Sequence, residues 1–362
     1  LNGVKIKVRN QRLEIDWSEF DRNVSAAMDG SAFPDGRPAQ CLFVPYWMPI
    51  RNHDGSITTR ATEQNYQGLD KNLFAQWMSA LQAHFKEKGW LDRALVFYFD
   101  EPFLQAWKYQ GFVNAAKVIR EAAPELKIML TDGYRGADAY AGKGYIDEPV
   151  DRYVDVWNPV TFQVSTPERL AFYRERRARG EQNMWCQTVG SANKIKPFLN
   201  LFLDYDMPFH RMWGVLSWDM GFTALEMWQT IVWYDEQNRQ ALDIWNNPKG
   251  FPGFQQPVNG DGRLFYPGTP EAIGGNHHIP ISSIRLKAVR EAIEDYQYLK
   301  LLKSAGKIDQ FDISRLHATN NKDKNKMRQP MATGRGNWRF WEGDPDAFME
   351  ARQEMARLLS TP

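Results

Sequence analysis

The chain has 362 residues, 43% of them hydrophobic, and its 45 basic and 44 acidic side chains leave a net charge of +1. That length suits one large barrel with insertions or two ordinary domains. The even charge balance argues against nucleic acid or an anionic membrane as a partner, and no apolar run approaches the ~20 residues of a transmembrane helix. The 14 Trp, 14 Tyr and 21 Phe are an unusually aromatic set. Such rings build cores, and they also stack on sugars, so the excess favours a carbohydrate cleft.

In chain order, Val4 to Val8 and Arg12 to Ile15 flank a polar Arg9-Asn10-Gln11 and predict a short hairpin. A helix follows from Asp16 to about Asp29, and Gly30 to Pro38 read as a loop. Gln40 to Pro45 form the next expected strand, leading into Tyr46-Trp47. Residues 50–69 are polar and irregular, after which Leu73, Trp77, Leu81 and Phe85 repeat every four positions and mark an amphipathic helix. Ala94 to Glu101 read as a buried strand, 103–123 as a helix, 127–131 and 153–157 as strands. A helix over about 167–179, a strand over 183–188, a helix around 195–205 and a strand over 213–219 complete the alternation. Strand alternating with helix predicts an α/β fold with a parallel sheet, here a (β/α)8 TIM-type barrel. Six barrel strands are recognisable where eight are needed, so the barrel is expected to be incomplete at its N-terminus, with the first strands upstream of Leu1, or to hold strands that the pattern hides. The barrel domain is expected to span 1–305, with an insertion at about 220–280. A polar loop and a C-terminal helix over 306–362 are expected in the same domain. Cys41 and Cys186 each fall inside an expected strand and read as buried thiols, with a disulfide as the alternative.

The most informative segment is Ala94-Leu95-Val96-Phe97-Tyr98-Phe99-Asp100-Glu101-Pro102. A buried strand that ends in two carboxylates just before a helix is how an α/β barrel delivers acids to its catalytic face. Desolvation and mutual repulsion would hold one of the two protonated near neutral pH, which suits acid-catalysed cleavage of a glycosidic bond. The alternative is a solvated pair of acids favoured by a helix N-terminus.

Three stretches together resemble glycoside hydrolase family 123, the β-N-acetylgalactosaminidase-like enzymes. They are Phe99-Asp100-Glu101-Pro102, the glycine-flanked Gly260-Asp261-Gly262-Arg263-Leu264-Phe265-Tyr266-Pro267-Gly268, and Ile281 to Leu299, which is similar to the family's "SIRLExLREGxEDYEYL" helix. The resemblance implies a barrel catalytic domain, no cofactor and hydrolysis of terminal 2-acetamido sugars. It also implies substrate-assisted retention, an exception to the two-carboxylate rule. By motif position Glu101 would be the general acid/base, and Asp100 would orient the acetamido N–H and stabilise the oxazolinium-like intermediate. The chain departs from the family where Leu216-Ser217-Trp218-Asp219 replaces a Trp-Ala-x-Asn-x-Trp-like strand end, and it has no room for the family's usual N-terminal β-sandwich. The resemblance favours a secreted or periplasmic setting, although no signal peptide is visible.

Tyr134 follows an expected strand and could hydrogen-bond the acetamido carbonyl, or it is a surface loop residue. Trp157 and Asn158, Trp185, and Trp218 with Asp219 fall at expected strand ends, as does Trp47 with Tyr46. The tryptophans are candidate walls of a sugar subsite, with core packing as the alternative for each. His277 and His278 lie in a Gly-rich loop and have no metal-ligand spacing, so no metal is expected. Arg285 and Arg290 are expected to pair with acids. Two other functions compete: a glycosidase on non-acetamido sugars using Asp132, Asp155 or Asp219 as second carboxylate, and a non-catalytic carbohydrate-binding barrel. An oligosaccharide or glycoconjugate is the expected partner.

Overall fold

A computed structural model of the chain describes residues 3–131, 133, 148–164, 167–188, 199–205, 207–235, 240–249, 258–316 and 344–361. They divide into two compact units, Leu1–Trp157 and Asn158–Pro362.

In the first unit, β1 (Lys5–Arg9) and β2 (Arg12–Asp16) pair antiparallel around Asn10 and Gln11. Both turn residues have positive φ, 48° and 61°, the backbone of a two-residue hairpin turn that matches strand twist. Helix α1 (Ser18–Asp29) follows, then β3 (Leu42–Phe43) and a small antiparallel ribbon of β4 (Ile50–Arg51) and β5 (Ile57–Thr58). Helix α2 (Lys71–Glu87) starts where the Asp70 carboxylate accepts from the Leu73 N–H at 3.1 Å. Its four-residue stripe Leu73, Trp77, Leu81 and Phe85 is wholly buried, as the periodicity demands. Next come β6 (Ala94–Val96), α3 (Ala106–Ala122), β7 (Lys127–Leu130) and β8 (Val156–Trp157). The order β3-β6-β7-β8 is parallel throughout, with α2 and α3 as crossovers.

In the second unit, α4 (Pro167–Ala178) leads to β9 (Gln182–Gln187), and α5 (Met207–Met220) leads to β10 (Ala224–Met227), which is parallel to β9. β11 (Phe265–Gly268) and β12 (Ile279–Ser282) form an antiparallel pair around the one-turn α6 (Pro270–Ile273). Two long helices close the chain, α7 (Ile284–Ser304) and α8 (Pro345–Ser360). Helices α5 and α7 are pressed backbone to backbone: a Cβ on Gly214 would lie 2.0 Å from the Ala292 carbonyl oxygen. A buried ionic cluster ties the three helices, with Arg211 on Asp295 at 2.6 Å and Arg352 reaching Asp295 and Glu291.

The α/β class and the parallel strands are present, and a closed eight-stranded barrel is not formed among the described residues. Among the described residues six strands pair in parallel, four in the first unit and two in the second. Five of them lie where the sequence pattern puts a strand. The sixth does not, because residues 213–219 belong to α5 and the strand is Ala224–Met227. Trp213, Val215 and Leu216 are buried on all sides of α5, and an apolar run without period does not distinguish a buried helix from a buried strand. Ala-Leu-Glu-Met consists of good helix formers, and pairing with β9 overrides that preference. Residues 199–205 form no helix, and Cys41 is exposed, whereas Cys186 is buried, and no disulfide joins them. Arg290 pairs with Glu291 and Glu294, whereas Arg285 finds backbone carbonyls instead of an acid.

Candidate active site

The apolar run of β6 stops pairing as a regular strand after Val96, and Asp100 rejoins the sheet by a parallel bridge to Thr131, just past β7. One hydroxyl holds the acidic pair there. Thr131 Oγ1 donates to Asp100 Oδ1 at 3.0 Å and accepts the Glu101 N–H at 3.2 Å. Glu101 has φ 45° and ψ 59°, a left-handed conformation that costs a non-glycine residue ~1–3 kcal/mol. Such strain persists only where surrounding bonds over-determine it. Here they are the Thr131 hydroxyl, the Leu104 N–H on the Glu101 carbonyl at 3.1 Å, and Pro102 opening the turn that leads into α3. The kink frees Glu101 from strand alternation, which otherwise sends adjacent side chains to opposite faces. Lys108 Nζ donates to the Asp100 carbonyl at 3.0 Å, tying the turn to the first turn of α3. Asp100 is exposed and Glu101 half-buried, so the pair is open to solvent.

Trp47 and Trp157 are also in the first unit. Trp47 is 7% exposed and meets Trp77 edge-on at 6.0 Å, and Trp157 is fully buried at the end of β8. Asp155, a candidate second carboxylate, precedes β8 and pairs with Arg120 while accepting the Ile128 N–H at 2.7 Å. It therefore sits at the N-terminal ends of the strands, opposite to Asp100 and Thr131. Tyr134 and Asp132 lie outside the described residues.

In the second unit, Asn158 is fully buried, and its Nδ2 donates to Glu226 Oε2 at 3.4 Å. Trp185 is fully buried too, stacked on Phe222 at 3.7 Å with its indole N–H on Ser217 at 3.0 Å. Trp218 and Asp219 are half-buried, carried by α5 and not by a strand end.

A further acid sits at the C-terminal ends of β9 and β10, inside the glycine-flanked stretch that carries part of the family resemblance but to which the sequence assigned no site residue. Asp261, 1% exposed, accepts from Gln187 Nε2 at 3.3 Å and from the Trp228 indole N–H at 3.1 Å. Burial pushes its carboxyl up to about 6, against the pull of these donors and of Arg285. Gly260 and Gly262 have φ of 75° and 67°, and a Cβ on Gly260 would meet the Arg285 guanidinium at 2.7 Å. The Gly-Asp-Gly pattern was therefore the available signal: two left-handed positions fold the loop tightly enough to bury the acid between them. Among the described residues no three His, Cys, Asp or Glu side chains converge to hold a metal, and no helix is long and apolar enough to cross a membrane.

Residues 4–302 match the family model of the glycoside hydrolase 123 catalytic domain. The chain belongs to this family. It is accordingly a glycoside hydrolase, and its substrate is a carbohydrate. No curated protein matches the chain. Within this glycoside hydrolase 123 domain, the Asp100-Glu101 pair and Asp261 each lie past the C-terminal end of a parallel strand.

Proposed function

We propose that this glycoside hydrolase 123 domain removes terminal β-N-acetylhexosamine residues, β-N-acetylgalactosamine foremost, by substrate-assisted retention. Glu101, as the neutral acid, gives its proton to the leaving oxygen while the substrate's acetamido oxygen attacks the anomeric carbon. Asp100 accepts the acetamido N–H and counters the positive charge of the resulting oxazolinium ion. Glu101, now a carboxylate, takes a proton from water, whose oxygen adds to the anomeric carbon and opens the ring. Two inversions leave the configuration retained.

The observation that carries this reading is the single Thr131 hydroxyl shared by Asp100 and Glu101 across a strained turn. A pair spending strain energy to hold adjacent acids suits two separate tasks on neighbouring atoms of one sugar. Hydrolysis of a chromogenic β-N-acetylgalactosaminide, compared with the matching β-galactoside, tests it. Turnover of the acetamido sugar alone, with inhibition by a thiazoline mimic of the bicyclic intermediate, is the expected result. Equal turnover of both sugars, or a 2-fluoro sugar that labels a protein carboxylate, would replace it with a double-displacement mechanism.

A further inference from the structure

In the second unit a cavity of about 790 Å³ opens between α5, α7 and β10, with Arg177 of α4 at its edge. It lies on the α5 side of the strands. Leu225 pairs in register with Trp185, whose indole reaches α5, whereas Glu226 alternates to the other face, where it meets Asn158. The cavity is thus separated by β10 from that polar pair. Its volume falls in the range of small-molecule sites.

The walls are graded. Along α7 the lining residues Val289, Ile293, Tyr296, Lys300 and Lys303 recur at helical spacing, so they form one stripe ~21 Å long. The stripe is aliphatic at its start, phenolic in the middle and cationic at its end. Leu225 and Met227 of β10 and Trp213 of α5 extend the apolar part. At the other end Lys303 Nζ stands 6.0 Å from the Trp218 ring, and Trp218 meets Tyr296 edge-on at 5.8 Å. Arg177 joins them. Its guanidinium rests on the C-terminal end of α5, so close that a Cβ on Gly221 would lie 2.2 Å from Nη1. Burial raises the Tyr296 hydroxyl and Arg177 draws it back down, so the two are neighbours. Among the described residues three cations line the cavity and no carboxylate does, in a chain whose net charge is only +1.

We propose that this cavity binds a long-chain carboxylate, with the alkyl chain along Val289, Ile293, Leu225 and Met227 and the head group among Arg177, Lys300, Lys303 and the Tyr296 hydroxyl. The apolar stretch leaves sugar hydroxyls without partners, and the cationic end leaves an anionic head paired. The site is independent of the glycosidase mechanism proposed above.

Fluorescence of cis-parinaric acid titrated into the full chain tests it, with displacement by dodecanoate and by dodecanol. Saturable one-to-one binding is expected, with dodecanoate displacing the probe at least about tenfold better than dodecanol. The double variant Lys300→Glu/Lys303→Glu should weaken probe binding about tenfold or more while circular dichroism and glycoside hydrolysis stay unchanged. Ile293→Glu should abolish it through the apolar end. Absent or non-saturable binding, equal displacement by dodecanol, or parent-like affinity in both variants would overturn the proposal. So would a concentration-dependent dimer that excludes the probe, which would make a second copy the occupant.

Discussion

The side chain of Thr131 reaches back to Asp100, thirty-one positions earlier, and its hydroxyl joins the carboxylate of Asp100 to the backbone of Glu101. A hydrogen bond to a charged group is worth about 1.5–3 kcal/mol. Thr131→Val keeps the shape and removes the bond, so kcat should fall about ten- to a hundredfold. Thr131→Ser, which keeps the hydroxyl, should recover most of it. A Thr131→Val enzyme with parent kcat and only a changed KM would show that the clamp does not serve the chemistry.

Under the proposed mechanism the strained Glu101 is also the general acid. Glu101→Gly relieves the left-handed backbone and should stabilise the fold by ~1 kcal/mol while removing turnover, measured by thermal melting beside activity. Glu101→Gln should depress hydrolysis of poor leaving groups far more than of activated aryl glycosides, which need little protonation. Asp100→Asn should cost ~10²–10³ in kcat on both kinds of substrate, since in the proposed mechanism its charge acts on the intermediate and not on the leaving group.

Asp261 makes stability depend on pH in a definite direction. Its carboxyl titrates at about 6 in the folded protein against 3.8 ordinarily, because burial disfavours the charge. Across that window the folded chain holds more protons than the unfolded one, so stability falls as pH rises, and the contribution is complete only below the lower value. The shift corresponds to roughly 3 kcal/mol. Asp261→Asn should therefore raise the Tm at pH 7.5 and leave it nearly unchanged at pH 3.5. A variant that melts lower at both would assign the carboxylate's bonds to Gln187 and Trp228 more weight than its desolvation.

Arg285, 1% exposed, donates to the carbonyls of Leu201, Gly260 and Arg263 and so pins the Asp261 loop to α7. Arg285→Met takes the guanidinium donor from the Leu201 and Arg263 carbonyls, while the Gly260 carbonyl keeps the Arg263 N–H, and should cost roughly 2–4 kcal/mol in urea unfolding. Arg285→Lys should recover only part, because a point charge does not reproduce the planar fork.

Much of this was written in the order of the residues. The period of α2 and the hairpin at Asn10-Gln11 are local patterns, and each stands within a residue or two of where the sequence put it. The acidic pair was visible as a candidate for the same reason: Asp100 and Glu101 are neighbours in the chain, at the end of a hydrophobic run. What waited for the tertiary structure were relationships with no local signature. In residues 207–220 burial runs unbroken from Phe209 to Ser217, which erases the period that would have announced a helix. Ala224–Met227 is a strand because β9 offers it an edge. Thr131 meets Asp100 and Glu101, Gln187 and Trp228 meet Asp261, and Arg285 meets three carbonyls across separations that local preference does not reach. Periodicity reports which face of an element is buried. Only the packed chain decides what that face is buried against, and hydrogen bonds in the interior are set by that second choice.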